Sequence, residues 1–130
     1  MNRIKVKDIL NTKSKKKIIC LTSYTKDFSQ ILDKYCDIIL VGDSVSMVLY
    51  GMPNTREITL ETMMLHAKTV KKYTKRSLVV FDMPFKSYRN KYLAYKNAKR
   101  VIKETKCDAV KLEGGIEIAK TIKHLTQKGI

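Results

Sequence analysis

Long apolar segments are missing from this sequence. No run approaches the roughly 18 apolar residues that mark a membrane-spanning helix. The N-terminal segment MNRIKVKDILNTKSKKK also lacks the apolar core of about 7 to 15 residues that defines a signal peptide. We therefore expect no membrane span and a cytoplasmic location.

Cysteine is scarce, and the three cysteines of the chain are Cys20, Cys36 and Cys107. Their spacing is not the CxxC pattern of a zinc site, and an odd number of cysteines cannot pair completely as disulfides. Each lies in a strand-like segment or directly beside one. These features predict buried, reduced thiols, which again fits the cytoplasm.

Acidic residues are few compared with basic ones, 12 against 27, which gives a net charge of +15. A charge of this size is compatible with a nucleic-acid or other anionic partner. However, only 5 of the 27 basic residues are Arg, which leaves 27 − 5 = 22 Lys. Nucleic-acid readers favour Arg for bidentate contacts. We therefore expect a solvated lysine-rich surface, and a non-catalytic basic binding protein is the alternative.

The 130 residues, of which 44% are apolar, suffice for one domain. Four strand-like apolar runs occur at 18–24, 37–44, 77–85 and 107–115. Segments with helical periodicity follow them at 28–35, 60–70, 94–102 and 118–125, and a short helix is expected near 6–10. Strands that alternate with helices predict an α/β fold with a parallel sheet.

The C-terminal residues LTQKGI are typical of a helix that ends at a glycine cap, Gly129, with Ile130 beginning another strand. A (β/α)8 TIM barrel takes about 250 residues. We therefore predict that residues 1–130 form the first four βα units of one TIM-barrel catalytic domain, its N-terminal half. A small open, doubly wound sheet is the rival architecture.

Acidic residues follow three consecutive predicted strands: Asp43 with Ser44, then Asp82, then Glu113. Parallel strands deliver their carboxyl ends to one rim, where ligands bind. Strand alternation predicts that each acid continues an apolar row of its own strand. Converging carboxylates need a cation, and oxygen ligands without His or Cys favour Mg²⁺. Taken singly, each acid could instead cap a helix or form a turn.

Lys111 lies two residues before Glu113 and is expected on the same strand face. A buried amine requires an anionic partner, such as a substrate carboxylate. His66 falls beside the apolar stripe of a helix, so we interpret it as a partly buried structural residue rather than a ligand.

Four segments in this order and spacing, LVGDSVSMV, ITLETMMLHAKTV, LVVFDMPFKSY and AVKLEGG, resemble the N-terminal half of the ketopantoate hydroxymethyltransferase family. The resemblance implies a TIM barrel that acts in pantothenate biosynthesis. It implies Mg²⁺-assisted enolate chemistry, in which a hydroxymethyl group passes from 5,10-methylenetetrahydrofolate to 3-methyl-2-oxobutanoate and gives 2-dehydropantoate. It also implies a homo-oligomer.

The resemblance further assigns residues. Mg²⁺ would be held by Asp43, Asp82 and Glu113, and the 2-oxoacid by Asp43, Ser44, Asp82 and Lys111. The family's general base, a Glu, and its folate-site residues are expected beyond residue 130, so the chain as given is expected to be incomplete and inactive alone.

The sequence departs from the family pattern at Thr25, Ser46, Arg56 and Glu57, in loops expected near the mouth of the site. The alternative hypothesis is that the chain belongs to another Mg²⁺-dependent oxoacid enzyme of the phosphoenolpyruvate/pyruvate barrel group.

Overall fold

The computed structural model describes residues 2–130. Its strands are β1 (Cys20–Thr22), β2 (Ile38–Val41), β3 (Leu78–Asp82) and β4 (Ala109–Lys111). Its helices are α1 (Val6–Leu10), α2 (Lys26–Leu32), α3 (Val45–Val48), α4 (Leu60–Tyr73), α5 (Lys91–Thr105) and α6 (Ala119–Gln127). The four predicted βα units are therefore confirmed, whereas the one-turn helix α3 was not predicted.

The four strands form one parallel sheet in the order β1-β2-β3-β4. The predicted α/β class and parallel sheet are confirmed. A doubly wound sheet reverses its strand order at a switch point. Because the order here is sequential throughout, the sheet is consistent with half of a barrel.

The core lies between the sheet and its helices. Ile39 and Val41 of β2 pair in register with Val79 and Phe81 of β3, and all four side chains are fully buried. They pack against the apolar faces of the two long helices, Met63, Met64, Ala67 and Val70 from α4 and Ala94, Ala98 and Val101 from α5. Each Å² of apolar surface that is buried contributes about 25 cal/mol of free energy, and this burial drives the association of the helices with the sheet.

The opposite face of the sheet is less covered, since Ile38, Leu40 and Val80 are only partly buried. The prediction that Asp43 continues the row of Ile39 and Val41 is therefore wrong, because that row faces the helices. Asp82 belongs to the other face, beside Lys111. Strand β2 ends at Val41, and α3 begins at Val45. Asp43 lies in the turn between them, where side chains no longer alternate between the two faces of the sheet.

The three cysteines are all free, and Cys36 and Cys107 are buried as predicted. The prediction is wrong for Cys20, which is exposed. It lies in the edge strand β1, all of whose residues are exposed. Burial also raises the pKa of the Cys107 thiol to about 11.

Helix termini follow their sequence signals. The Asn90 side chain accepts from the backbone N–H groups of Tyr92 and Leu93 at the start of α5. Gly129 has φ +78° beyond the end of α6, which confirms the predicted glycine cap. The strand expected from Ile130 onward stays a prediction. Between residues 2 and 130, no helix is long and apolar enough to cross a membrane.

Candidate active site

The turn after β2 brings Asp43 and Ser44 to the carboxyl ends of the strands. Gly42 fits closely in this turn, because a Cβ atom there would lie 3.0 Å from Ser44 Oγ and 3.3 Å from a Thr22 methyl carbon. Ser44 stands at the N-cap position of α3 but makes no side-chain cap bond. Its hydroxyl instead lies 2.7 Å from the Tyr24 hydroxyl. Capping therefore does not explain Ser44.

Asp82 lies at the end of β3, and its side chain is only 6% exposed. Its Oδ1 accepts from Lys111 Nζ at 2.7 Å, and its Oδ2 accepts from the backbone N–H of Asp43 at 3.4 Å. The structure thus brings three predicted residues, Asp43, Asp82 and Lys111, into one cluster.

Asp43 has an unfavourable electrostatic environment. Burial raises the pKa of its carboxyl group, and the nearby Asp82 charge raises it further. The Thr55 side chain and Lys111 lower it, but less. The net result is a raised pKa, as expected for a carboxylate that lacks a sufficient cation.

Lys111 is less buried than predicted, because its side chain is 44% exposed. The reason is that β4 is an edge strand and that Lys111 lies on the less covered face of the sheet. Burial alone would lower the pKa of Lys111, but the bond to Asp82 and the charges of Asp43 and Glu113 raise it. Lys111 therefore remains a cation, and its partner here is Asp82.

Glu113 lines the same cavity as Asp43. Its backbone carbonyl accepts from the Tyr88 hydroxyl at 3.2 Å. Among residues 2–130, no group of three or more His, Cys, Asp and Glu side chains comes together closely enough to hold a metal ion. The predicted three-acid set therefore consists here of two adjoining aspartates and one more distant glutamate.

The cavity beside the acids measures about 500 Å³. Its mouth is basic and aromatic, with the Arg56 guanidinium 5.1 Å and Lys86 Nζ 5.7 Å from the centre of the Phe85 ring. Arg89 lines it as well. The predicted position of Arg56 near the mouth is thus confirmed, whereas the platform formed by Phe85 was not foreseen.

The departure at Ser46 is accommodated, since its buried hydroxyl donates to the backbone carbonyl of Asp43 at 2.9 Å. Thr25 and Glu57 are exposed. His66 is partly buried, as predicted, and bonds to the Tyr24 carbonyl and the Tyr50 hydroxyl. Sequence reasoning missed Tyr24, although its position just after β1 places it on the same rim as the acids.

Comparison with known proteins identifies the relatives of this chain. The family model for ketopantoate hydroxymethyltransferase matches residues 3–130. A 3-methyl-2-oxobutanoate hydroxymethyltransferase of Anaplasma marginale (strain Florida) is 51% identical over 127 residues, covering 98% of this chain and 46% of that protein. A protein of the same name from Pelagibacter ubique (strain HTCC1062) is 46% identical over 130 residues, covering 100% of this chain and 50% of that protein.

The third example, from Rhizobium etli, carries the same name and is 52% identical over 119 residues, with 91% of this chain and 44% of that protein covered. The chain spans about half the length of the curated relatives it matches. The motifs, the parallel βα units and the nearly complete family match agree, and the chain belongs to the ketopantoate hydroxymethyltransferase family.

Proposed function

We propose that this chain supplies the metal- and oxoacid-binding part of an enzyme that transfers a hydroxymethyl group from 5,10-methylenetetrahydrofolate to 3-methyl-2-oxobutanoate. The product is 2-dehydropantoate, a precursor in pantothenate biosynthesis. The observation that supports this most is the pair Asp43 and Asp82, which adjoin at the carboxyl ends of neighbouring strands, with Asp43 lining a cavity. Family membership supplies the reaction.

The proposed architecture is the N-terminal half, residues 1–130, of one TIM-barrel catalytic domain. Sequential parallel strands and helices on one face support it. The outer strands β1 and β4 each have one unpaired edge, which a further set of strands would cover. A homo-oligomer and a cytoplasmic location belong to the same proposal.

The donor set suits Mg²⁺, because carboxylate oxygens are the ligands that this ion prefers. Asp43 and Asp82 would hold it, and Glu113, which lines the same cavity as Asp43, is the third predicted ligand. The raised pKa of Asp43 indicates a carboxylate short of positive charge, which a divalent ion would supply. When bound, Mg²⁺ acts as a Lewis acid that polarises the keto group of the oxoacid and makes its C3 proton easier to remove.

The other residues have distinct roles in this proposal. Ser44 donates a hydrogen bond to the oxoacid carboxylate, and Lys111 offsets its negative charge. The basic mouth around Phe85 suits the folate cosubstrate, which carries aromatic rings and carboxylates. We assign the general base to a Glu outside residues 1–130, so we expect residues 1–130 to bind substrate without turnover.

The test is calorimetric titration of the chain with 3-methyl-2-oxobutanoate, with and without Mg²⁺. We expect Mg²⁺-dependent binding that weakens at least about tenfold in Asp82→Asn, since a charged ligand of the metal is lost. Asp27→Asn, an exposed acid on α2, is the matched control and should bind normally. Tighter binding of phosphoenolpyruvate or pyruvate would favour the related barrel enzymes instead, and binding indifferent to Mg²⁺ would contradict the proposal.

A further inference from the structure

The Tyr24 side chain has no assigned role, yet it contacts the proposed substrate site directly. Its hydroxyl lies 2.7 Å from Ser44 Oγ, the usual length of a hydrogen bond between two hydroxyls, and both groups are partly buried. Tyr24 follows strand β1, whereas Ser44 follows β2, so this bond joins the carboxyl ends of two neighbouring strands.

The Tyr24 backbone is itself held in place by helix α4. His66 Nδ1 lies 2.9 Å from the Tyr24 carbonyl oxygen. Because a carbonyl oxygen only accepts, Nδ1 must carry the hydrogen. In the neutral ring, Nε2 then accepts from the Tyr50 hydroxyl, which lies 2.8 Å away. His66 thus anchors the Tyr24 backbone, and its ring also lies edge-on to the Tyr24 ring, with 6.4 Å between the ring centroids.

The direction of the bond between the two hydroxyls determines what Ser44 can do. Each hydroxyl has one hydrogen to donate and lone pairs that accept. If Tyr24 donates to Ser44 Oγ, the Ser44 hydrogen is free to point at a substrate carboxylate. If Ser44 donates to Tyr24 instead, its single hydrogen is used up. An anionic ligand beside Ser44 favours the first arrangement, since a carboxylate attracts the donor.

We propose that Tyr24 is a positioning residue that makes Ser44 a hydrogen-bond donor to the carboxylate of the 2-oxoacid. This inference rests on the proposed function, because it assumes that the oxoacid binds beside Ser44. Tyr24 itself does not touch the substrate. Its whole effect on binding therefore passes through Ser44, and this distinguishes it from a residue that only supports the fold.

A double-mutant cycle tests the proposal by measuring the affinity for 3-methyl-2-oxobutanoate at saturating Mg²⁺. Tyr24→Phe should weaken binding about fivefold, the change expected for one ordinary hydrogen bond, and Ser44→Ala about tenfold. The double variant should bind no more weakly than Ser44→Ala, because the two residues act as one unit. Tyr35→Phe, which removes the hydroxyl of a 68% exposed tyrosine, should leave the affinity unchanged.

Unchanged affinity in Tyr24→Phe, or effects that multiply in the double variant, would overturn the proposal. The same titrations separate its failure from that of the proposed function. If Mg²⁺-dependent binding persists but Ser44→Ala binds normally, only the role of Tyr24 and Ser44 is wrong. If the unmodified chain shows no Mg²⁺-dependent binding, the proposed function and this inference are both overturned.

Discussion

The two ends of the sheet use the same kind of residue in opposite ways. At the amino ends of the strands, the carboxylates of Asp33, Asp37 and Asp108 accept hydrogen bonds from neighbouring backbone N–H groups. At the carboxyl ends, Asp43 and Asp82 adjoin each other. The three amino-end acids stabilise the fold through these bonds. Asp82 accepts from Lys111, whereas the Asp43 carboxylate accepts no backbone hydrogen bond from residues 2–130 and is available for a ligand.

The pKa values of Asp33 and Asp43 reflect this difference. Burial would raise the pKa of Asp33, but three backbone N–H groups, those of Ser77, Lys75 and Arg76, lower it below its usual value of 3.8. The pKa of Asp43 is instead raised above that value by burial and by Asp82. Asp33 is thus held by backbone donors at the amino end of the sheet, whereas Asp43 at the carboxyl end is not.

The largest effect is expected at the amino end. Asp33→Asn keeps one acceptor oxygen but loses the charge that three backbone donors share. We expect a loss of about 2 kcal/mol in the free energy of unfolding, measured by urea denaturation, which is moderate because Asp33 is only partly buried. The same change at the exposed Asp27 should cost less than about 1 kcal/mol, the value of a favourable helix-dipole interaction. Equal losses of unfolding free energy in Asp33→Asn and Asp27→Asn would contradict the structural role given to Asp33.

Acid should reveal the same contrast. Because the folded-state pKa of Asp33 and Asp37 is lowered, their contribution is complete above the unfolded value of 3.8 and is lost as pH falls through the folded pKa. Asp43 acts in reverse, since its raised pKa stabilises the fold below 3.8 and this contribution is lost as pH rises. Urea denaturation from about pH 6 to about pH 2 should therefore show a loss of stability as pH falls below 3.8, and this loss should be smaller in Asp33→Asn. If the free energy of unfolding of Asp33→Asn fell with pH as steeply as that of the unmodified chain, Asp33 would not contribute to the acid loss.

A smaller effect is expected for Lys111→Met, which leaves the buried Asp82 carboxylate without its charged partner. Because Lys111 is half exposed, we expect a loss of about 1 kcal/mol in thermal unfolding experiments, and Lys111→Arg should lose less. Added Mg²⁺ should restore the loss, since a ligand that binds only the folded state stabilises it. Failure of Mg²⁺ to stabilise either the variant or the unmodified chain would count against the metal site.

The smallest effect is expected for Asp43→Asn. Removing a carboxylate whose pKa is raised should change the free energy of unfolding by no more than about 0.5 kcal/mol at neutral pH, with any change favouring the fold. The same variant should lose Mg²⁺-dependent oxoacid binding. A large loss of stability with normal binding would reverse the comparison between the two ends.

Strand and helix order followed from the sequence because apolar runs and helical stripes alternate along the whole chain. The acids of the rim also followed, since strand ends are recognisable from sequence. The sheet face on which Asp43 lies could not be predicted, because the pairing register of the strands decides which row of side chains packs against the helices. Burial of Cys20 and Lys111 was overestimated for a related reason, namely that both lie in edge strands. The contact of Tyr24 with Ser44 could be seen only in the structure, because the two residues are 20 positions apart in the sequence.

The central claim, that Asp43 and Asp82 hold Mg²⁺ where an oxoacid can chelate it, is tested most directly by ¹³C NMR of 3-methyl-2-oxobutanoate labelled at its keto carbon. We predict that the keto resonance shifts and broadens only when the chain and Mg²⁺ are both present, and that Asp82→Asn abolishes this change. A resonance that responds to the chain equally with and without Mg²⁺, or not at all, would contradict the account.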